Sequence, residues 1–421
     1  MINNVIKTNK RHNFLYYLLI LLFIIFPFGQ LTRLPLSFSP SIRIYAHDIV
    51  IVLILGTWLV ATFNKRMKMV YPPLFRPIGY FVAAMLISLS VNAFRYPFSE
   101  LLVGLTYAVR WTTYASLYVI LYNLVREDKK IINTLLTFLM GAGVVSALFG
   151  IMQYFLYPDL RNLMYLGWDP HEYRVFGTFF DSGFTGLIFV LTIIVLTGQW
   201  MSKKIAIRGN WIIMSGLVLT YIALALTYSR ASFAALFIGF SVISFFRKSV
   251  WPIALVTFLL LATIFLLPQP SPMAEGTKLA RTTSVQARLT NYEQSREIIQ
   301  DHPVFGVGFN MLRYENRSRN FVPAYEWEES NAAAGLDNSV LFVWAATGTA
   351  GLIAYLNLIF QITKSAILQL SNPSMRQWGI LILATLAAIL THSMFNNSLF
   401  YPWIMIWLWV LFGVAHVPRH L

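Results

Sequence analysis

The chain of 421 residues contains no cysteine. It therefore has no disulfide, no thiolate metal ligand and no cysteine nucleophile. It also lacks a His-Glu-x-x-His zinc motif, a glycine-rich P-loop and any Asp-x-Asp pair, the usual divalent-metal handle of nucleotide-sugar transferases. These absences argue against ATP hydrolysis and cytoplasmic sugar-nucleotide chemistry, and they predict a protein that works without a metal or another cofactor.

Charge is also scarce, because only 12% of the residues are charged and 57% are hydrophobic. A soluble domain carries about 25% charged residues. Apolar runs of roughly 20 residues recur along the whole chain, and each is long enough to cross a bilayer as a helix. The runs are continuous and do not alternate, which favours helices over a barrel. The sequence predicts an all-α integral membrane protein whose residues 1–421 form a single polytopic domain.

We predict twelve membrane-spanning helices. They lie near 14–30, 46–63, 74–93, 101–124, 132–157, 182–200, 210–227, 231–247, 250–268, 339–361, 377–394 and 402–417. The first is too long for a cleaved signal peptide, and no small-x-small cleavage site follows it.

Lysine and arginine predict the orientation of these helices. The loops on one side hold 18 basic residues, and the short loops on the other side hold six. This asymmetry places both termini in the cytoplasm. It also accounts for much of the net charge of +15. No basic motif is interleaved with stacking aromatics on a soluble domain, so nucleic acid is not an expected partner.

The acidic residues follow the opposite pattern, since only Glu127 and Asp128 fall in a cytoplasmic loop. The one large hydrophilic segment, 269–338, joins the ninth and tenth spans and is predicted to be extracytoplasmic. We therefore expect the chemistry of the protein on the external side of the membrane.

Two external segments present arginines close to helix starts. "EYRVFGTFFDSGFTG" (172–186) contains Arg174 beside a helix that Asp181 or Ser182 could cap, which is the composition of an anion site. "LTYSRASFAALF" (226–237) has Arg230 at the tip of a tight turn. A snorkelling arginine is the alternative interpretation there, although the positive-inside rule disfavours it.

Two further segments carry polar groups. "ARLTNYEQSREIIQDHPVFGVGF" reads as an amphipathic helix in which Leu289, Tyr292, Ile298 and Ile299 recur at helical spacing, ended by Pro303. Its Arg288 is a third candidate anion ligand, and Gly306-x-Gly308 forms either a plain turn or a phosphate-binding turn. Farther on, Asp337-Asn338-Ser339 precedes the tenth span.

A carboxylate at the membrane edge is costly unless it has a use, so Asp337 is either a helix cap or a functional group. Arg110 falls inside the fourth span, where an arginine is either functional or paired with the carbonyl groups of another span.

The four external segments, taken in order, resemble those of the O-antigen ligase and polymerase superfamily. "RVFGTFFDSGFTG" looks like the family's Arg-x-x-Gly-Thr-Phe element, and "LTYSRASFAAL" looks like its Ser-Arg element. "RLTNYEQSREIIQDHPVFGVGF" is similar to its amphipathic helix followed by Pro-x-x-Gly-x-Gly. "LDNSVLFVWAATGTAGLIAYL" is similar to the span with an internal glycine that follows His-Asn or His-Ser in the family.

The resemblance implies a metal-independent membrane glycosyltransferase of the bacterial cytoplasmic membrane with its active site facing outwards. The donor would be a polyprenyl-diphosphate-linked glycan, and the acceptor a sugar hydroxyl on a glycan or lipid-linked sugar. Arginine forks would stabilise the departing diphosphate, a carboxylate would accept the hydroxyl proton, and direct attack would invert the anomeric centre. The expected catalytic residues are Asp337, Arg230 and Arg174, and the expected substrate-binding residues are Arg288, Arg110, Asn338, Tyr292, Gly306, Gly308 and His392.

One position departs from the family pattern, because ligases of this family carry histidine where this chain has Asp337. The nearest other histidines on the same side are His392 and His302. The departure favours a polymerase, with a ligase that uses a lipid A-core acceptor as the alternative. A transporter or flippase is the alternative from another class, but the two halves show no repeat and the ionisable groups cluster at the external edge.

Overall fold

A computed structural model describes residues 13–35, 41–202, 207–268, 275–321 and 335–417 of the chain. Its described part is all-α apart from two antiparallel two-residue strands, β1 (Arg33–Leu34) and β2 (Ile44–Tyr45). The α-helices are α1 (Asn13–Ile25), α2 (Ala46–Phe63), α3 (Phe75–Val91), α4 (Phe98–Glu127), α5 (Ile131–Leu156), α6 (Ser182–Trp200), α7 (Ile207–Ala225), α8 (Arg230–Arg247), α9 (Trp251–Leu266), α10 (Thr283–Asp301), α11 (Leu312–Ser318), α12 (Ser339–Leu370), α13 (Arg376–Ser393) and α14 (Pro402–Ala415).

Each of the twelve predicted spans coincides with a helix, namely α1 to α9 and α12 to α14. Six helical segments of the described chain are long and apolar enough to cross a membrane: Phe14–Thr32, Ala46–Phe63, Ile131–Leu156, Ser182–Trp200, Arg230–Arg247 and Ser339–Leu370. Four shorter apolar helices accompany them. The protein is thus an all-α membrane protein, and the count of twelve spans remains a prediction.

The predicted amphipathic helix is α10, which ends two residues before Pro303. Ile298 and Ile299 are buried, whereas Leu289 is 55% exposed. The first two turns of α10 line a cavity through Ala287, Arg288 and Asn291, and only its last turns pack into the core.

The centre of the bundle is α14, in which every residue from Trp403 to Ala415 is buried. A helix that is apolar on all sides is stable only when other helices surround it. Helix α4 packs along α14, while α12 packs against α3 and α13, and α13 against α8. Large side chains such as Trp403 and Trp407 fill the space between these helices.

Side-chain caps fix where three of the helices begin. Asp181 Oδ1 accepts a hydrogen bond from the Phe184 amide at 2.7 Å and caps α6, and Ser229 caps α8. Asn338 Oδ1 accepts from the Val340 amide at 2.8 Å and caps α12. The cap of α12 is therefore Asn338, and the side chain of Asp337 is left for another role.

Helix α12 is broken at Gly348, whose φ of 65° lies in the left-handed region. The segment 303–308 packs into the break. The Val307 and Gly308 amides donate to the carbonyls of Ala345 and Ala346, both at 3.0 Å, and the Thr349 amide donates to the carbonyl of Pro303 at 2.8 Å. A Cβ atom on Gly306 would lie 2.5 Å from the carbonyl carbon of Ala346, so the two backbones can approach this closely only because the loop carries glycine there.

A buried carboxylate fixes α11 against the α3–α4 turn. Glu315 accepts hydrogen bonds from Arg319 at 2.8 Å, Tyr96 at 3.0 Å and Arg95 at 3.3 Å. These contacts hold α11 against the turn between α3 and α4.

The chain lacks native cysteine, which makes its orientation directly testable. A Thr290→Cys variant on the exposed face of α10 is expected to react with a membrane-impermeant thiol reagent on cells whose inner membrane is intact. Lys130→Cys, at the predicted cytoplasmic start of α5, should react only after that membrane is broken. The reverse pattern would contradict the assignment of 269–338 to the external side.

Candidate functional site

A cavity of about 610 Å³ lies at the end of the bundle where α6, α8 and α12 begin. Its volume is within the range of small-molecule sites, about 300–1,000 Å³. Residues distant in sequence meet on its wall. Five of the predicted site residues are among them: Arg110, Arg174, Arg230, Arg288 and Asp337.

Backbone carbonyls hold the cavity arginines in place. Arg174 Nε donates to the carbonyl of Thr227 at 2.9 Å, and Arg230 Nη1 to that of Arg281 at 3.0 Å. Arg288 Nε donates to the carbonyl of Phe395 at 3.1 Å, with its guanidinium 5.7 Å from the Phe395 ring centroid. Among the described residues, neither Arg174 nor Arg288 has a carboxylate within salt-bridge distance. Their positions are thus fixed without neutralising their charge.

The environment of Arg174 favours an anion. This side chain is only 6% exposed, and burial together with the neighbouring Arg281 lowers its pKa. A guanidinium nevertheless keeps its proton in proteins. A buried positive charge beside a second positive charge is costly, and a bound anion relieves that cost.

Asp337 faces the cavity while its backbone amide donates to Asn291 Oδ1 at 3.0 Å. Burial raises the pKa of the Asp337 carboxyl, and Asp181 adds to this, while Arg288 opposes it. Desolvation outweighs Arg288, although Asp337 is exposed towards the cavity. A raised pKa makes the carboxylate a stronger proton acceptor.

Arg110 is paired as well as placed on the cavity wall. Its Nη2 donates to Asp48 Oδ2 of α2 at 2.7 Å and to the carbonyl of Arg43. Tyr114 also donates to Asp48, at 2.7 Å. Of the two roles that the sequence left open, pairing with another span is therefore present, and it attaches α4 to α2.

Five predicted substrate-binding residues do not line the cavity. Asn338 caps α12, and Tyr292 donates to the carbonyl of Met394. The amide of Gly308 is bonded to the backbone of α12, and the amide of Gly306 donates to the carbonyl of His302. His392 is buried with its Nδ1 2.6 Å from Ser398 Oγ. These groups lie behind the cavity wall, and both glycine amides already have partners.

Several residues of the cavity wall were not predicted from the sequence. Asp169 and His171 precede Arg174 in "GWDPHEYR", and Arg281 lies shortly before α10. A tryptophan next to three polar side chains in a predicted external loop could have pointed to Asp169 and His171. These residues come immediately before the motif that contains Arg174. The signal for Arg281 was weaker: it is a basic residue on the predicted external side, where basic residues are few.

Comparison with known families identifies part of the chain. Residues 213–356 match the family model described as O-antigen ligase. This match, over about a third of the chain, supports the resemblance to the O-antigen ligase and polymerase superfamily. No curated protein matches it.

The O-antigen ligase match includes one side of the cavity and omits the other. It contains Arg230, Arg288 and Asp337, together with the broken helix at Gly348. Arg174 and the loop of Asp169 lie outside it. The match supports a membrane protein of the O-antigen ligase or polymerase type, whereas the assignment of individual residues depends on the geometry of the cavity.

Three groups on the cavity wall could hold a cation. Asp169, His171 and Asp181 each offer one ligand atom, and these atoms lie within 4.8 Å of one another. Burial raises the pKa of Asp169 to about 6, with Asp181 and Asp337 adding to the effect, and burial lowers the pKa of His171 well below its usual value. The distances between these ligand atoms determine whether a metal ion or another group fits between them.

Proposed function

We propose that the protein is a glycosyltransferase of the bacterial cytoplasmic membrane that polymerises or transfers a polyprenyl-diphosphate-linked glycan on the external face. Transfer of the glycan to a lipid A-core or another acceptor is the ligase form of the same reaction. The observation that carries the proposal is the convergence of Arg174, Arg230, Arg281 and Arg288 on a cavity that Asp337 also lines.

The charges on the wall match a diphosphate leaving group. Six arginines and three aspartates line the cavity, and Arg110 is already paired with Asp48. The excess of positive charge suits an anion, and forked guanidinium groups match phosphate oxygens in shape. Negative charge grows on the diphosphate as the bond to the anomeric carbon breaks, so fixed arginines stabilise the transition state more than the ground state.

Asp337 is the proposed base. The acceptor hydroxyl gives its proton to the Asp337 carboxylate as its oxygen attacks the anomeric carbon, and the diphosphate leaves with the bonding electron pair on the opposite face. One displacement of this kind inverts the configuration at that carbon. The arginines supply the stabilisation that a metal ion supplies in other transferases, so the proposed reaction is metal-independent.

The acceptor decides between the two forms of the reaction. Purified protein incubated with a polyprenyl-diphosphate glycan alone is expected to give a ladder of longer lipid-linked products, without nucleotide and without an ion gradient. Reaction only after a lipid A-core acceptor is added would identify the ligase form. Movement of unmodified lipid-linked glycan across vesicles, with no new glycosidic bond, would identify a flippase and contradict the proposal.

A further inference from the structure

One end of the cavity differs in chemistry from the arginine side. The connection between α5 and α6 brings Trp168, Asp169 and His171 together with Phe180 and Asp181, and all five residues line the cavity. We call this group the acidic corner. Neither the family match nor the sequence motifs assign any function to Asp169 or His171.

His171 presents a ring nitrogen that lacks a partner. The residue is 8% exposed, its ring stacks on Phe176, and its Nε2 is buried without a hydrogen-bond partner in the described part of the chain. Asp181 Oδ1 is occupied by the Phe184 amide, whereas Oδ2 lies 4.0 Å from His171 Nε2. Buried polar atoms are normally hydrogen-bonded, so an unpartnered nitrogen facing two carboxylates points to a ligand.

The separation between His171 and Asp181 favours hydroxyl groups over tetrahedral zinc. Tetrahedral zinc, with bonds of about 2.1 Å, holds its ligand atoms about 3.4 Å apart. The gap of 4.0 Å between His171 Nε2 and Asp181 Oδ2 is wider than this. Two hydroxyl groups, each donating one hydrogen bond of about 2.8 Å to one of these atoms, suit the wider spacing. The nearby charges of Arg174 and Arg281 disfavour a cation further.

The corner offers hydrogen-bond acceptors and repels phosphate. Ionised carboxylates only accept hydrogen bonds, and so does the lone pair of a neutral imidazole, so the ligand must donate. A pair of neighbouring sugar hydroxyls supplies two donors at the required spacing. Trp168 and Phe180 contact each other edge to face, with ring centroids 5.3 Å apart, and offer apolar surface for the sugar ring.

We propose that the acidic corner binds the hydroxyl groups of the acceptor sugar. The assignment to the acceptor rests on the proposed function, in which Asp337 is the base. The carboxylates of Asp169 and Asp181 lie near enough to Asp337 to interact with it electrostatically. A sugar held in the corner presents its next hydroxyl to the proposed base. The diphosphate of the donor remains on the arginine side.

Binding can be measured without transfer. The full chain in detergent is titrated with the methyl glycosides of glucose, galactose, mannose and N-acetylglucosamine, and saturation-transfer NMR reports contact. At least one glycoside is expected to bind, and Asp169→Asn and His171→Phe are expected to weaken it tenfold or more. His171→Phe keeps the stacking on Phe176 and removes only the ring nitrogens. Glu172→Gln, which removes a carboxylate outside the cavity, should bind as the unaltered protein does.

Three outcomes would overturn the proposal. They are the absence of binding by every glycoside, equal binding by the unaltered protein and both variants, and corner-dependent binding of Mn²⁺ or Zn²⁺ in place of a sugar. Should Asp169→Asn fail to fold, Asp181→Asn replaces it, since asparagine caps a helix about as well as aspartate.

Kinetics separate this proposal from the proposed function. In a transfer assay, Asp169→Asn should raise KM for the acceptor at least tenfold with a smaller change in kcat, which is the signature of lost acceptor binding. Glycoside binding that depends on the corner in a protein without transfer activity would contradict the proposed function and the acceptor assignment, while leaving the sugar site in place. Transfer with normal acceptor KM in both corner variants would contradict the acidic corner alone.

Discussion

Replacing Arg230 with alanine is expected to lower glycan transfer by a factor of roughly 100 to 1,000, the loss seen when one preorganised donor is removed from a site of developing negative charge. The same loss is expected for Arg174→Ala. Both guanidinium groups are held by backbone carbonyls on the wall of the cavity, so each is in position before the substrate arrives. Arg→Lys should restore activity only in part, because an ammonium group provides charge without the fork.

Arg161→Ala is the matched control for these variants. Arg161 belongs to the same stretch of chain as Arg174, is exposed, and pairs with Asp159 at 2.8 Å outside the cavity. It should retain normal turnover. Because Arg174 is buried, its variants also need a thermal-unfolding measurement. Normal turnover in folded Arg230→Ala and Arg174→Ala proteins would reduce both residues to structural roles.

Asp337→Asn is expected to lower transfer by a factor of roughly 100 or more, through loss of the proton acceptor. The substitution keeps the shape of the side chain, and it leaves the start of α12 intact because Asn338 is the cap. Glu297→Gln removes an exposed carboxylate from α10 outside the cavity and should behave as the unaltered protein does. Full activity of Asp337→Asn in a transfer assay would refute the role as base.

The acid limb of the pH–rate profile tests the same residue. Burial raises the pKa of Asp337, so the ionised base is lost, and the rate falls, as the pH drops through that raised value. Asp337→His should retain measurable activity with the limb moved to higher pH, since histidine ordinarily titrates near 6.5. If the acid limb lies at the same pH in both proteins, it reports the titration of another group. The first candidate is Asp169, with a pKa of about 6.

The positions of the long helices could be predicted from the sequence, because apolar runs of sufficient length leave the backbone few alternatives. The start of α12 was harder to predict. Asp337 and Asn338 are both good caps, and only the backbone geometry decides that Asn338 accepts the amides of Val340 and Leu341. The spacing of apolar residues along α10 did not reveal that the beginning of this helix borders a cavity.

The arginines of the site were recognisable because a positive charge is unusual on the external side. Asp169 and His171 could not be recognised in this way, because carboxylates and histidines are common in external loops. They stand out only because the fold brings them close to Asp181, ten or more residues away. Gly306 and Gly308 illustrate the opposite error. A pair of glycines is compatible with phosphate binding and equally with close packing of two backbone segments. Here the two glycines pack against the backbone of α12 at its break.

The break at Gly348 has a consequence for the biogenesis of the protein. Within a hydrocarbon layer, the interrupted turn would leave the carbonyl of Ala345 and the Thr349 amide without a partner, at a cost of several kcal/mol for each group. The segment 303–308 supplies their partners. Helix α12 therefore cannot reach its stable form during membrane insertion until the preceding segment has docked against it. The segment 303–308 and helix α12 are therefore expected to reach their final structure together.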